Sequence, residues 1–209
     1  METVVHGQAE ALNIFQKVQK ATGGLVTPAN VLVDAPAFCG AMYGINIKGL
    51  DSWTGIIITA GSFLADMVDG PVARLTKTES PLGETVDAAG DKIKLAAALY
   101  RIWELDLAPK PLIVAIAAQN GINVALTTAD RAINRKPVIH PSYFGKRAIL
   151  LEQLGLGLHV IGSEVAKKNE RRGAIIKKVG TLTSVAGLGL GSAATAGYTK
   201  SLFSARKKA

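Results

Sequence analysis

Four aspartates, Asp66, Asp69, Asp87 and Asp91, sit next to or inside segments that are otherwise apolar. An ionised aspartate near the centre of a bilayer costs about 2.5–3.5 kcal/mol even on a lenient insertion scale, so such groups pair, reach water or hold cations. On a helix, residues three or four apart share a face. Asp66 and Asp69 make one such pair and Asp87 and Asp91 another. Pro81 and Gly83 lie between the pairs and let the chain reverse, so the two acidic faces are expected to meet antiparallel in one site. Carboxylate oxygens without histidine or cysteine favour magnesium, manganese or calcium over zinc.

The residues around the acids point to what those cations would hold. Gly70, Ala73 and Gly83 lack bulk where a ligand or another backbone would approach. Arg74 adds a fixed positive charge suited to phosphate. Acids for metals, small residues for access and an arginine for the anion describe a pocket for a metal-held diphosphate, and hence a phosphoryl-transfer site.

Positioning these residues requires helices. Six spans of roughly the 20 residues that cross a bilayer core can be drawn, at 29–47, 53–74, 84–105, 111–131, 147–166 and 175–198. Segments 53–65, 111–126 and 179–198 are free of charge, whereas Lys92, Lys94 and Arg101 interrupt the third span and Glu152 and Glu164 the fifth. Thr27-Pro28, Ser80-Pro81-Leu82-Gly83, Pro109 and Pro111 mark breaks between them. Residues 1–28 form a separate juxtamembrane segment, in which Leu12, Ile14, Phe15 and Val18 share a helical face beside Lys17 and Lys20. The expected fold is therefore all-α and integral to the membrane, with an N-terminal amphipathic surface helix and a six-helix domain over 29–209. No removable signal peptide is expected at the start.

Composition agrees. Hydrophobic residues make up 48% of the 209 and glycine 22 of them, with aromatics only 5%, a balance that suits helices packed through small residues. The net charge of +8 is carried by clusters between apolar stretches, which fits lipid head groups and cytoplasmic loops. Nucleic acid is not expected as a partner. The single cysteine, Cys39, excludes an internal disulfide. His140 and His159 are read as structural, and Trp53 and Trp103 as interface or packing residues. With both termini cytoplasmic, the basic stretch containing Lys167, Lys168, Arg171, Arg172, Lys177 and Lys178 would fall outside, against the positive-inside tendency.

Read straight through, Asp66-x-x-Asp69-Gly70-x-x-Ala73-Arg74, eight residues, then Gly83-x-x-x-Asp87-x-x-x-Asp91 resembles the complete signature of the CDP-alcohol phosphatidyltransferase family. The resemblance implies a multi-pass enzyme of phospholipid biosynthesis in the cell membrane, homodimeric, with its active site facing the cytoplasm. It implies two Mg2+ or Mn2+ ions held by Asp66, Asp69, Asp87 and Asp91, with Asp91 also serving as general base. Asp69, Gly70, Ala73, Arg74 and Gly83 would then line the CDP site. The donor would be CDP-diacylglycerol, the acceptor a small alcohol and the leaving group CMP. Thr27-Pro28-Ala29-Asn30 resembles the segment that opens the family's first membrane helix, although Val33 stands where a threonine is usual; Asn30 is equally well read as a helix cap.

The acceptor rests on the second half of the chain. Arg131, Lys146 and Arg147 are expected on the same side of the membrane as the aspartates, where they would bind an acceptor phosphate or serve as ordinary positive-inside charges. Gly145-Lys146 followed by Gln153 resembles a pattern of phosphatidylglycerophosphate synthases, one residue out of register and with Ala148 and Ile149 in place of a lysine and a threonine. Glycerol 3-phosphate is the preferred acceptor and inositol phosphate the alternative, followed by the acceptors of cardiolipin- or phosphatidylserine-type synthesis. From other classes, a membrane transporter with buried acids would not need Gly70, Ala73, Arg74 and Gly83 at fixed offsets, and a soluble helical phosphohydrolase would be extracted by salt rather than detergent.

Overall fold

The computed structural model describes residues 17–23, 30–76, 81–134 and 142–206. Of the expected surface helix only 17–23 is included, with 17–21 helical; the remainder of that segment lies outside the described residues. Every regular element among the described residues is a helix. The chain divides into two compact units, residues 1–98 and 99–209.

In the first unit, α1 (Ala35–Tyr43) is continued by wide π turns at Asn30–Asp34 and Gly44–Gly49. Gly49 ends it with φ at +78°, a left-handed conformation glycine adopts without steric cost. The chain then reverses, and Ser52 caps α2 (Trp53–Thr76) by accepting a hydrogen bond from the Gly55 amide at 3.1 Å. The two helices touch near this turn. A Cβ on Gly44 would stand 2.9 Å from the Gly55 carbonyl. Helix α3 (Pro81–Glu104) opens on proline, whose missing N–H costs nothing at a helix start.

The second unit begins with the last turns of α3. Asp106 then takes φ +52°, and the Leu107 amide reaches back to the Ile102 carbonyl at 3.0 Å. This is a Schellman closure with aspartate where glycine is usual. Helix α4 (Lys110–Asn134) follows, then α5 (Tyr143–Ala166) and α6 (Glu170–Arg206). Ser142 caps α5 by accepting from the Gly145 amide, and its own amide donates to Tyr198 Oη at 3.0 Å. Both α5 and α6 start earlier than the hydropathy predicts, because Ser142 and Asn169 supply caps; Asn169 Oδ1 accepts from the Arg172 amide at 3.0 Å. Only 167–169 separate these helices, so Arg171, Arg172, Lys177 and Lys178 belong to α6 and not to a loop.

Helices α5 and α6 pack antiparallel through small residues. Gly173, Gly180, Gly187 and Ala194 recur every seven residues on α6, and their partners on α5 include Ala166, Gly162, Gly155 and Ala148. A Cβ on Gly155 would lie 2.7 Å from both the Gly180 carbonyl and the Ser184 amide. Seven residues is the period that keeps one face of a helix turned towards its partner in a left-handed supercoil. Helix α4 joins through polar bonds: Asn120 donates to Glu152 at 2.7 Å, Gln119 to the Leu188 carbonyl at 3.0 Å, and Thr195 donates to Asn123 at 2.7 Å.

In this unit polar groups share the interior with apolar ones such as Ile116 and Leu156, and large apolar side chains also face outward. Glu152, Asn120 and Ser184 are buried, whereas Leu182 is 68% exposed and Val114, Ile122 and Leu154 are more than half exposed. Asn120 bonded to Glu152 inside and large apolar side chains outside suit a hydrocarbon solvent. By length and composition Lys110–Asp130, Tyr143–Ala166 and Glu170–Phe203 can cross a membrane, and Trp53–Ala65 is a shorter apolar helix. These correspond to the fourth, fifth, sixth and second of the expected spans. The expected first and third spans are helical where described, but π turns divide one and charged residues such as Lys92, Lys94 and Arg101 interrupt the other.

Candidate functional site

Helix α2 runs unbroken through Asp66, Asp69, Gly70, Ala73 and Arg74, and α3 begins just ahead of Gly83. The side chains of these signature residues lie outside the described set, as do residues 77–80 between the helices. Asp87 and Asp91 are described. They occupy successive turns of α3, four residues apart, and therefore share a face.

Asp91 is half-exposed and Lys94 beside it is buried: the side chains are 47% and 3% accessible, with Nζ 2.9 Å from Oδ1. The ammonium also lies 5.9 Å from the ring centroid of Phe63 on α2, within range of a cation–π attraction. A lysine is rarely buried unless its charge is matched, and the carboxylate of Asp91 supplies part of that match. Lys94 was legible in the sequence only as a charge that weakened the third span. The overlooked signal was its spacing, three residues after Asp91 and hence on the acidic face.

Among the described residues no group of three or more histidine, cysteine or acidic side chains is gathered to hold a metal, and the carboxylates of Asp66 and Asp69 are not among them. The donor chemistry nevertheless fits Mg2+ or Mn2+. The acids offer hard oxygen ligands, and the half-exposed carboxylate of Asp91 remains accessible to an ion although Lys94 lies beside it.

The cationic residues expected to bind an acceptor lie in the second unit. Lys146 and Arg147 are exposed in the first turns of α5, with the Arg147 guanidinium 4.1 Å from the Tyr143 ring centroid. Arg131 falls near the end of α4, and its side chain lies outside the described set.

Comparison with known proteins gives one match. The family model for CDP-alcohol phosphatidyltransferase covers residues 22–188, a range that includes the whole Asp66–Asp91 signature together with Arg131, Lys146 and Arg147. No curated protein and no solved structure matches the chain.

Proposed function

This chain belongs to the CDP-alcohol phosphatidyltransferase family, membrane enzymes that transfer a phosphatidyl group from a CDP-alcohol to an acceptor, and from that premise we propose that it joins CDP-diacylglycerol to glycerol 3-phosphate and releases CMP. The observation that supports phosphatidyl transfer is the family match over a chain in which all eight signature positions are filled at the right spacing; the choice of glycerol 3-phosphate rests on Gly145-Lys146 followed by Gln153.

In this reading Asp66, Asp69, Asp87 and Asp91 hold two Mg2+ or Mn2+ ions, which when bound neutralise charge on the attacking and leaving oxygens. Asp69, Gly70, Ala73, Arg74 and Gly83 receive the CDP moiety, where the absence of bulk admits the nucleotide and the guanidinium faces phosphate. Asp91 accepts the proton of the acceptor hydroxyl. The alcohol oxygen bonds to the lipid-side phosphorus, the bond from that phosphorus to the CMP oxygen breaks, and CMP departs with the electron pair. Arg131, Lys146 and Arg147 hold the acceptor phosphate. Six membrane spans, a homodimer and a cytoplasm-facing active site complete the proposal.

The direct test is CMP release from CDP-diacylglycerol by detergent-purified protein with Mg2+ or Mn2+, adding glycerol 3-phosphate, inositol phosphate, inositol or serine singly. Release dependent on glycerol 3-phosphate supports the proposal, and release with only another compound reassigns the acceptor. Arg131→Ala and Lys146→Ala should each raise the acceptor KM about tenfold, the low end for a hydrogen bond to a charged group, with kcat little changed. Normal acceptor saturation in both variants would dismiss this phosphate site.

Lys94 and a divalent cation would draw on the same carboxylate. Removing a unit charge near a partly exposed site is worth on the order of 1–4 kcal/mol, so Lys94→Met should tighten Mn2+ binding about fivefold or more. Electron paramagnetic resonance of free Mn2+ measures this. Unchanged affinity would remove Asp91 from the metal-binding set.

A further inference from the structure

A cavity of about 590 Å³ opens in the second unit between the 106–109 turn, His159 on α5, and Lys177, Lys178 and Thr181 on α6. None of these residues belongs to the signature or to the acceptor set. We propose that this cavity binds a phosphate-bearing anion, presented by an anionic lipid head group or as free phosphate, through Lys177 and Lys178.

The charges of the lining suit such a ligand. Lys177 and Lys178 lie seven and eight residues into α6, about 11 Å along its axis, within the stretch Glu170–Phe203 that can cross a membrane. That stretch is longer than a bilayer core needs, which leaves lysines near its start free to meet a head group or a counter-charge. Of the nearby acids, Asp106 on the opposite wall is engaged by Lys110 at 3.3 Å, and Glu164 is paired with Lys167. The cavity thus carries excess positive charge and shows no carboxylate bonded to either lysine among the described residues.

The remaining walls suit the rest of an amphiphile. His159 is only 2% exposed; its Nε2 lies 3.1 Å from Thr181 Oγ1, and its Nδ1 has no hydrogen-bond partner among the described residues. Leu107, Ala108 and Pro109 give an apolar side. The 106–109 turn immediately precedes a membrane-crossing stretch, and Lys110 stands 5.4 Å from the Trp103 ring centroid. Tryptophan and lysine together at a span end are typical of the head-group layer. Basic pockets between spanning helices are a recognised form of anionic head-group site. The site also accounts for Lys177 and Lys178 in the basic stretch that ran against the positive-inside tendency.

The test uses full-length protein in detergent, titrated with phosphatidylglycerol, phosphatidylcholine or inorganic phosphate and read by native mass spectrometry and phosphorus resonance. Phosphatidylglycerol should be retained over zwitterionic phosphatidylcholine. Each lysine removed should weaken retention roughly fivefold, the value of one basic residue against an anionic head group. Lys178→Gln changes an exposed side chain and keeps the test independent of folding; the double variant with Lys177→Gln should lose roughly 25-fold, and Lys177→Arg should retain binding. Lysine-dependent binding of inorganic phosphate alone would identify free phosphate as a sufficient ligand, and its failure beside lipid binding would identify the head group. Equal retention of phosphatidylglycerol by the double variant and the parent, with no lysine-dependent phosphate binding, would overturn the proposal. CMP release should persist in the double variant, so this site and the transfer reaction stand or fall separately.

Discussion

Asp91→Asn should lower acceptor-dependent CMP release by about 100-fold or more, while CMP affinity measured without metal stays within about twofold. Proton removal by a positioned side chain contributes roughly 100- to 10,000-fold, and a neutral amide cannot take that proton. The substitution preserves shape, and its carbonyl oxygen can still accept from Lys94 Nζ, which lies 2.9 Å from the native carboxylate. The placement of Lys94 against Phe63 therefore persists, and nucleotide contacts assigned to Gly70, Ala73, Arg74 and Gly83 are untouched. Single-turnover kinetics beside CMP titration separates the two effects. A variant with a near-normal rate would remove Asp91 from the base role.

Gly155→Leu should destabilise the α5–α6 pair by about 3 kcal/mol or more, at or above the upper end of ordinary overpacking. The reason is the nature of the obstacle. A new Cβ would meet the Gly180 carbonyl and the Ser184 amide, each at 2.7 Å, and backbone cannot rotate aside as a side chain does. The helices must separate, losing the close packing that drives association in lipid. Gly157→Leu and Gly189→Leu provide the comparison, since an added Cβ at either position meets nothing within 4 Å. Thermal unfolding in detergent should show a lower Tm for Gly155→Leu alone. Equal Tm values for all three would contradict the seam.

The same seam shows what linear inspection overlooks. Gly173, Gly180, Gly187 and Ala194 form a seven-residue series, but it is hidden among other glycines, including Gly189 and Gly197, that make no close approach. Without a partner helix nothing distinguishes the packed glycines from the open ones. Likewise Asn120, Asn123 and Gln119 dilute an apolar run in the sequence, and only the positions of Glu152, Thr195 and Leu188 explain them.

By itself the sequence determined the helical class and the family, because hydropathy and short-range spacing are local properties. Asp66, Asp69, Asp87 and Asp91 stand at offsets that record helical turns directly, and the family match over residues 22–188 agrees with that spacing. Tertiary structure decided which residues serve those acids and which serve something else. Lys94 became the cation beside Asp91 through burial against Phe63. Lys177 and Lys178 became part of a cavity once α6 extended back to Glu170 and His159 and the 106–109 turn were brought alongside. The pairing of Lys94 with Asp91 follows from local spacing and only its burial against Phe63 from a neighbouring helix, whereas the cavity depends wholly on contacts between helices, which are set by the packing of whole faces and which no local pattern of residue types encodes.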